Sequence, residues 1–232
     1  MNVGKIFPIE LAETTAYLAG VIIGDGYIHG GFKGFKAPNS RNYRVSIDLT
    51  DFEFISTVAE LMKKIVLTTA TIKPKKVPQG HMRTWYFAVT NKSLWYFFTK
   101  TLGVPAGKKS RVVTVPEPIL TGSDSIKKAF LAGLFDADGG MRSDSIGLTT
   151  ASKNMGEQVA ILFRELGFGC NISSWLIKKY DWRYYGLSLR TGEIDRFLKE
   201  IPLRNVRKKE AIFDRFIART YRSGLTGQRV LV

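Results

Sequence analysis

Apolar residues recur along this chain in two rhythms, and the switches between them outline its elements. An apolar run over residues 9–23 predicts a first helix, stopped at Gly24-Asp25-Gly26. From Tyr43 the pattern alternates: Val45, Ile47 and Leu49 take one side while Arg44, Ser46 and Asp48 take the other, as in a strand with one wet face. The intervening residues 27–42 are Gly-rich and carry Lys33, Lys36 and Arg41, which predicts a hairpin with a long basic tip. Thr50-Asp51-Phe52-Glu53 has capping-box spacing, so a second helix is expected from Thr50 to Val66, with Ile55, Val58, Leu61, Met62 and Ile65 inward. Extended runs over 70–77 and 82–90 and a helix over 91–102 complete the unit.

The same order then returns. It predicts a helix over 125–137, a turn at Gly139-Gly140, a strand over 146–150, a helix over 152–166, strands over 171–179 and 183–190, and a helix over 193–201. A last helix over 208–221 has no counterpart of equal length. Residues 103–122, with Lys108, Lys109, Arg111, Pro116 and Pro118, read as the linker, which divides the chain into repeats over 1–115 and 116–232. The fold class is therefore α+β: two αββαββα repeats, each with a four-stranded antiparallel sheet whose helices share one face. The other face is left to the polar strand residues, among which Arg44, Ser46, Lys73, Lys75 and Arg83 in the first half and Arg142, Lys178, Tyr184, Ser188 and Arg190 in the second are candidates for nucleic-acid contact. Strands of this kind can enter a DNA major groove. The aromatic residues Trp85, Phe87, Trp175, Trp182 and Tyr185 are expected to pack the sheets rather than stack on bases.

Both halves are organised around one nonapeptide. Leu18-Ala19-Gly20-Val21-Ile22-Ile23-Gly24-Asp25-Gly26 returns 113 residues later as Leu131-Ala132-Gly133-Leu134-Phe135-Asp136-Ala137-Asp138-Gly139. Gly20 with Gly24, and Gly133 with Ala137, are small residues four apart on one helix face, which lets another backbone come close. The two helices are thus expected to pack side by side on these faces. Gly26 and Gly139 are expected just past the helix ends, with Asp25 and Asp138 in the last turns. A helix C-terminus carries partial negative charge, so two carboxylates gathered there favour a cation.

These motifs resemble those of the LAGLIDADG homing endonucleases of the single-chain, two-motif type; the second copy matches eight of the nine letters, with Phe135 in place of Ile. The resemblance implies two sheets forming a saddle over a DNA duplex, with the motif helices at the pseudo-twofold axis. It implies a monomeric, site-specific double-strand endonuclease leaving short 3′ overhangs, using Mg²⁺ or another divalent ion such as Mn²⁺. Asp25 and Asp138 would hold metal, one for each strand, together with the backbone carbonyls of Gly24 and Ala137. By family position, Asp48 and Thr149 match a peripheral polar place in the active site, and Lys109 and Arg207 match a basic one. Asp136 has Ile23 as its counterpart, so a role needed at both sites does not fall to it, and a polar contact on the helix side is expected. Two unlike halves imply a long asymmetric target of about 20 base pairs, one helical turn for each half. An intron or a free-standing gene is the expected host, because an intein needs a nucleophilic first residue and a terminal His-Asn, whereas this chain starts at Met1 and ends Val230-Leu231-Val232. Two other readings suit the architecture: an RNA maturase acting on intron RNA, and a DNA-binding regulator without chemistry. The presence of both Asp25 and Asp138 favours the nuclease.

Composition agrees. A net charge of +15 points to a polyanion, since neutralised phosphates release counterions. A hydrophobic fraction of 44% supports a true core, and no long apolar run suggests a membrane partner. Cys170 is the single cysteine, which excludes a disulfide framework and a zinc cluster and predicts a soluble protein in a reducing, intracellular setting. His29 and His81 stand alone, as groove or surface residues rather than ligands.

Overall fold

Each half builds one antiparallel sheet and covers one side of it with helices. The computed structural model describes residues 6–30, 43–68, 70–76, 82–142 and 145–227. Lys33, Lys36 and Arg41, with the basic hairpin tip, and His81 lie outside the described residues. The first half runs α1 (Glu13–Gly24), β1 (Gly26–Ile28), β2 (Arg44–Leu49), α2 (Phe52–Val66), β3 (Lys73–Lys75), β4 (Thr84–Thr90) and α3 (Lys92–Tyr96). A short α4 (Glu117–Leu120) precedes the second half, which runs α5 (Asp124–Asp138), β5 (Gly140–Arg142), β6 (Ser145–Thr150), α6 (Lys153–Glu165), β7 (Cys170–Ile177), β8 (Trp182–Leu189), α7 (Ile194–Glu200) and α8 (Val206–Gly227). The sheet orders are β1-β2-β4-β3 and β5-β6-β8-β7.

The register makes the halves equivalent residue by residue. Asp48 lies opposite Tyr86 and Thr149 opposite Gly186, so these two occupy matching places. The alternation expected in β2 is present: Val45, Ile47 and Leu49 are buried with Phe87 and Val89 of β4, as are Ile146, Leu148, Leu187 and Leu189 in the second sheet. Each sheet therefore keeps a second face turned away from the core, which we call the open face.

Several boundaries move, each for a local reason. Helix α1 starts at Glu13 rather than residue 9, because Ala12 is extended and its N–H is taken by the Thr15 hydroxyl at 2.8 Å. Asp51, not Thr50, caps α2, accepting from the N–H groups of Glu53 and Phe54 at 3.0 and 3.1 Å. The run over 70–77 yields only the three residues of β3, an edge strand in which Pro74 supplies no N–H and the flanking lysines are exposed. Beyond α3 the chain continues as a π-helical turn over Phe97–Thr101 rather than as α-helix, and Phe97, Phe98 and Leu102 all turn into the core. Gly140 opens β5 instead of forming a turn, and Lys178 sits in a 3-10 turn after β7 rather than in the strand. The last helix begins at Val206, where the Asn205 side chain accepts from the Lys208 N–H at 3.0 Å.

The motif helices α1 and α5 pack against each other backbone to backbone. A Cβ placed on Gly20 would lie 2.5 Å from the Leu134 nitrogen, and one on Gly133 would lie 2.8 Å from the Tyr17 carbonyl carbon. A Cβ on Gly24 would lie 2.5 Å from the Ala137 Cβ. Every residue from Thr15 to Ile23 is buried, so α1 is a core helix on all sides. Gly26 and Gly139 follow the helices as expected, but neither adopts a left-handed conformation. They are small because each lies against the preceding turn: a Cβ on Gly26 would stand 2.6 Å from the Ile22 Cα, and one on Gly139 2.8 Å from the Phe135 Cα.

Candidate active site

The crossing of α1 and α5 fixes where the two motif aspartates go. The glycine pair removes the side chains that would hold the helices apart, so both C-termini finish together. The Asp138 carboxylate lies against Gly24, within 3.2 Å of where a Cβ there would be. Asp25 feels Asp138 directly: burial and then the Asp138 charge push its pKa up to about 6, partly offset by the ammonium groups of Lys208 and Lys109. Burial also raises the pKa of Asp138, with Lys208 and Lys109 opposing it. Two desolvated carboxylates repelling each other at two helix C-termini form a site short of positive charge.

Two lysines approach this pair, one from each half. Lys208 Nζ donates to the carbonyls of Phe135, Asp136 and Ala137 at 2.9, 2.8 and 2.9 Å, closing the end of α5. Lys109 Nζ donates to the Gly26 carbonyl at 2.5 Å. Burial lowers the pKa of both, and both aspartates raise it in return. Lys208 thus takes the inner place that family position suggested for Arg207, whose side chain is exposed one residue earlier. The sequence carried a signal for this: Asn205 as helix cap makes Lys208 the third residue of α8 and turns it back toward α5.

Each acid opens into its own cleft. Asp25 shares one of 310 Å³ with Thr50, Asp51, Ala137, Arg207 and Lys208. Asp138 shares another of 490 Å³ with Gly24, Lys109, Arg111, Thr149 and Trp182. Each combines an acid from one half with a lysine and a small motif residue from the other. The match is incomplete, because Thr149 faces the Asp138 cleft while Asp48 turns its carboxylate to Lys75 at 2.5 Å. Asp136, 1% exposed, lies to the side: its Oδ2 accepts from the Tyr17 hydroxyl at 2.5 Å and from the N–H groups of Arg204 and Asn205 at 2.6 and 3.1 Å. It is a clamp between α1, α5 and the segment before α8, as its unmatched place in the repeat suggested.

Comparisons with known proteins agree with this geometry. A family model of the LAGLIDADG-like domain matches residues 125–202. A structure of mesophilic variants of the homing endonuclease I-DmoI is 25% identical, with a TM-score of 0.61, over 82% of this chain and 94% of that one. Residues 125–202 are thus a LAGLIDADG-like domain, and the chain as a whole is similar to the homing endonuclease I-DmoI. I-DmoI in complex with DNA and Mn has the same fold, at a TM-score of 0.62 and 24% identity over 83% of this chain and 97% of that one. The replication factor C small subunit of Methanocaldococcus jannaschii is 29% identical over 88% of this chain. The chain spans about a tenth of the length of that relative, 10%, and a fifth, 20%, of its counterpart from Thermococcus kodakarensis.

Among the described residues, no group of three His, Cys, Asp or Glu side chains could hold a metal alone. Asp25 and Asp138 nevertheless suit a hard divalent cation that completes its shell with water and phosphate oxygens. The Ala137 carbonyl, expected as a ligand, accepts from Lys208 here. No helix among the described residues is long and apolar enough to cross a membrane.

On the open face of the first sheet stand Arg44, Ser46, Lys73 and Lys75; Ser46 Oγ lies 3.2 Å from His29 Nε2. Arg83 does not join them, because its guanidinium lies 4.6 Å above the Trp85 ring on the helix side, where Trp85 meets Phe52 of α2. In the second sheet Tyr184 and Ser188 lie on the open face, Lys178 is at the β7–β8 hairpin tip, and Arg190 follows β8. Arg142 pairs with Ser145, its side chain lying outside the described part. Trp175 and Trp182 are 39% and 42% exposed, against the expectation that they pack the sheet, and Trp175 stacks on Tyr184 at 6.3 Å. Phe87 is buried as expected.

The raised pKa of Asp25 has a sign that can be measured. Its folded value of about 6 lies above the ordinary 3.8, so the native state holds the extra proton between these two pH values. The stability this gives is complete below about pH 4 and is lost as pH rises through about 6. Asp25→Asn is therefore expected to be more stable than the parent by ~1–3 kcal/mol at pH 7.5 in EDTA, and equal to it below pH 4. Denaturant unfolding at the two pH values reads the difference; equal stability at pH 7.5 contradicts the strained carboxylate.

Proposed function

We propose that this chain is a site-specific double-strand DNA endonuclease, acting as a monomer whose repeats, residues 1–115 and 116–232, each read half of an asymmetric target of about 20 base pairs. The observation that carries the reading is the meeting of Asp25 and Asp138 at the ends of crossed helices, with Lys208 and Lys109 beside them. Hydrolysis of a phosphodiester needs an activated water, neutralised charge on the phosphate and a stabilised leaving oxygen. A bound Mg²⁺ or Mn²⁺ supplies Lewis acidity for all three.

The chain's own groups do the rest. Asp25 and Asp138 would hold the cation, one acid for each DNA strand. Lys109 steadies the phosphate on the Asp138 side, where Thr149 orders water, and Lys208 does so on the Asp25 side with Arg207 outside it. The Ala137 carbonyl, which accepts from Lys208, would offer its second lone pair to the metal. Asp48, paired to Lys75, fixes that lysine on the open face of the first sheet. Arg44, Ser46, Lys73 and Lys75 on one side, and Arg142, Lys178, Tyr184, Ser188 and Arg190 on the other, line the DNA path. Strand scission at two offset phosphates leaves short 3′ overhangs.

A plasmid library carrying random inserts, incubated with the protein and Mg²⁺, tests this. The expected result is linearisation of a small set of plasmids sharing one long sequence, absent in EDTA. Binding to duplex DNA without cleavage of any member in Mg²⁺ or Mn²⁺ overturns the nuclease reading.

A further inference from the structure

The two open faces differ in charge. The first sheet carries Arg44, Lys73 and Lys75 there. The facing pairs of the second sheet are Gly147 with Ser188, Thr149 with Gly186, and Trp175 with Tyr184, all uncharged, and Arg142 stands at its far edge. A duplex lying across both sheets would meet cations at the centre of the first and neutral or aromatic residues at the centre of the second, whose cations Arg142, Lys178 and Arg190 lie at its edge, hairpin tip and strand end. The middle of the second sheet, nearest the Asp138 cleft, has no cation of its own.

The linker supplies one. Gly107 N–H donates to the Ile28 carbonyl at 2.8 Å, tying the linker to β1. A turn then closes from Lys109 to Val113, whose N–H donates to the Lys109 carbonyl at 2.8 Å. The Val113 carbonyl accepts from the buried Ser152 hydroxyl at 2.6 Å, tying the turn to the second half. Between these anchors the exposed Arg111 lays its guanidinium 4.1 Å above the Trp182 ring. Both line the cleft that holds Asp138, Lys109 and Thr149.

We propose that Arg111, held on Trp182, is a phosphate contact for the DNA strand that enters the Asp138 cleft, so that the linker gives the second half its grip. The inference rests on the nuclease reading. A stacked guanidinium spends its flat face on the indole and keeps its in-plane N–H donors for a phosphate. The turn is fixed at both ends, so little order has to be acquired on binding. Phosphate is favoured over a base edge because the same cleft holds Asp138 and Lys109, and the strand to be cut must bring its backbone to them. Lysine and arginine contacts to that backbone position a duplex without reading it.

The test is anisotropy of the full chain with three labelled 30-base-pair duplexes of unrelated sequence, in EDTA, across a salt series. For Arg111→Met, affinity is expected to fall by a similar factor on all three, with the slope of log K against log salt reduced by about 0.9. Arg111→Lys is expected to restore the slope but only part of the affinity. Trp182→Leu is expected to weaken binding in the parent and to add nothing in Arg111→Met. Unchanged slope and affinity in Arg111→Met, or a loss confined to one sequence, overturns the proposal. Thermal unfolding of each variant confirms that it folds. A parent that neither binds duplex nor cleaves the plasmid library defeats the nuclease reading itself; a parent that does both while Arg111→Met matches it defeats only the role of Arg111.

Discussion

Asp138→Asn is expected to convert the protein into an enzyme that nicks one strand of its target, and Asp25→Asn into one that nicks the other. Asparagine keeps the shape of the side chain and one oxygen, but it removes the charge that a divalent cation needs. Each acid lies in a separate cleft with a separate lysine, so losing one leaves the other cleft intact. Double-strand cleavage should fall roughly 10³-fold in each variant, the scale seen when one preorganised electrostatic contact to a transition state is lost. Supercoiled plasmid carrying the selected target should accumulate as open circles, and strand-specific labels should report opposite strands for the two variants. If both variants still linearise the plasmid at the parental rate, the acids are not catalytic. If both nick the same strand, the assignment of one acid to each strand is wrong.

The second large effect is on folding. Gly133→Val is expected to destabilise the protein by about 4 kcal/mol or more, leaving much of it unfolded. A core usually absorbs an added methylene by moving side chains, at about 1–3 kcal/mol. Here there is no side chain to move, because the new Cβ would meet the Tyr17 backbone. Either α1 and α5 separate, taking Asp25 away from Asp138, or the chain does not close. Gly140→Ala is the control, since a Cβ there would meet nothing within 4 Å; it should change stability by less than about 0.5 kcal/mol. Denaturant midpoints for the two variants compare them directly, and a Gly133→Val protein with parental stability would show that the helices are not in backbone contact.

The geometry of the centre also explains its polarity. Burial raises the pKa of both acids and the Asp138 charge adds to the rise at Asp25, while Lys208 and Lys109 work against it. The lysines keep a centre with two carboxylates tolerable. They do so from different carbonyls, Ala137 for Lys208 and Gly26 for Lys109, so the two clefts are related but not equal.

What the sequence determined by itself was the repeat and everything local to it. Small residues four apart predicted the contact of α1 with α5, alternation around Val45 and Ile47 predicted which side of β2 is buried, and Ser152 and Asn91 stood where helices begin because such residues cap by bonding to nearby N–H groups. The tertiary structure alone decided which surfaces meet. Nothing along the chain says that Asp48 is drawn to Lys75, that Arg83 turns onto Trp85, or that a linker arginine crosses to Trp182. Those contacts depend on the angle at which helices cross and on which face of a strand is left open. Periodicity within a few residues fixes the shape of an element, whereas the partners of a long charged side chain are set by whatever the packed core brings within its reach.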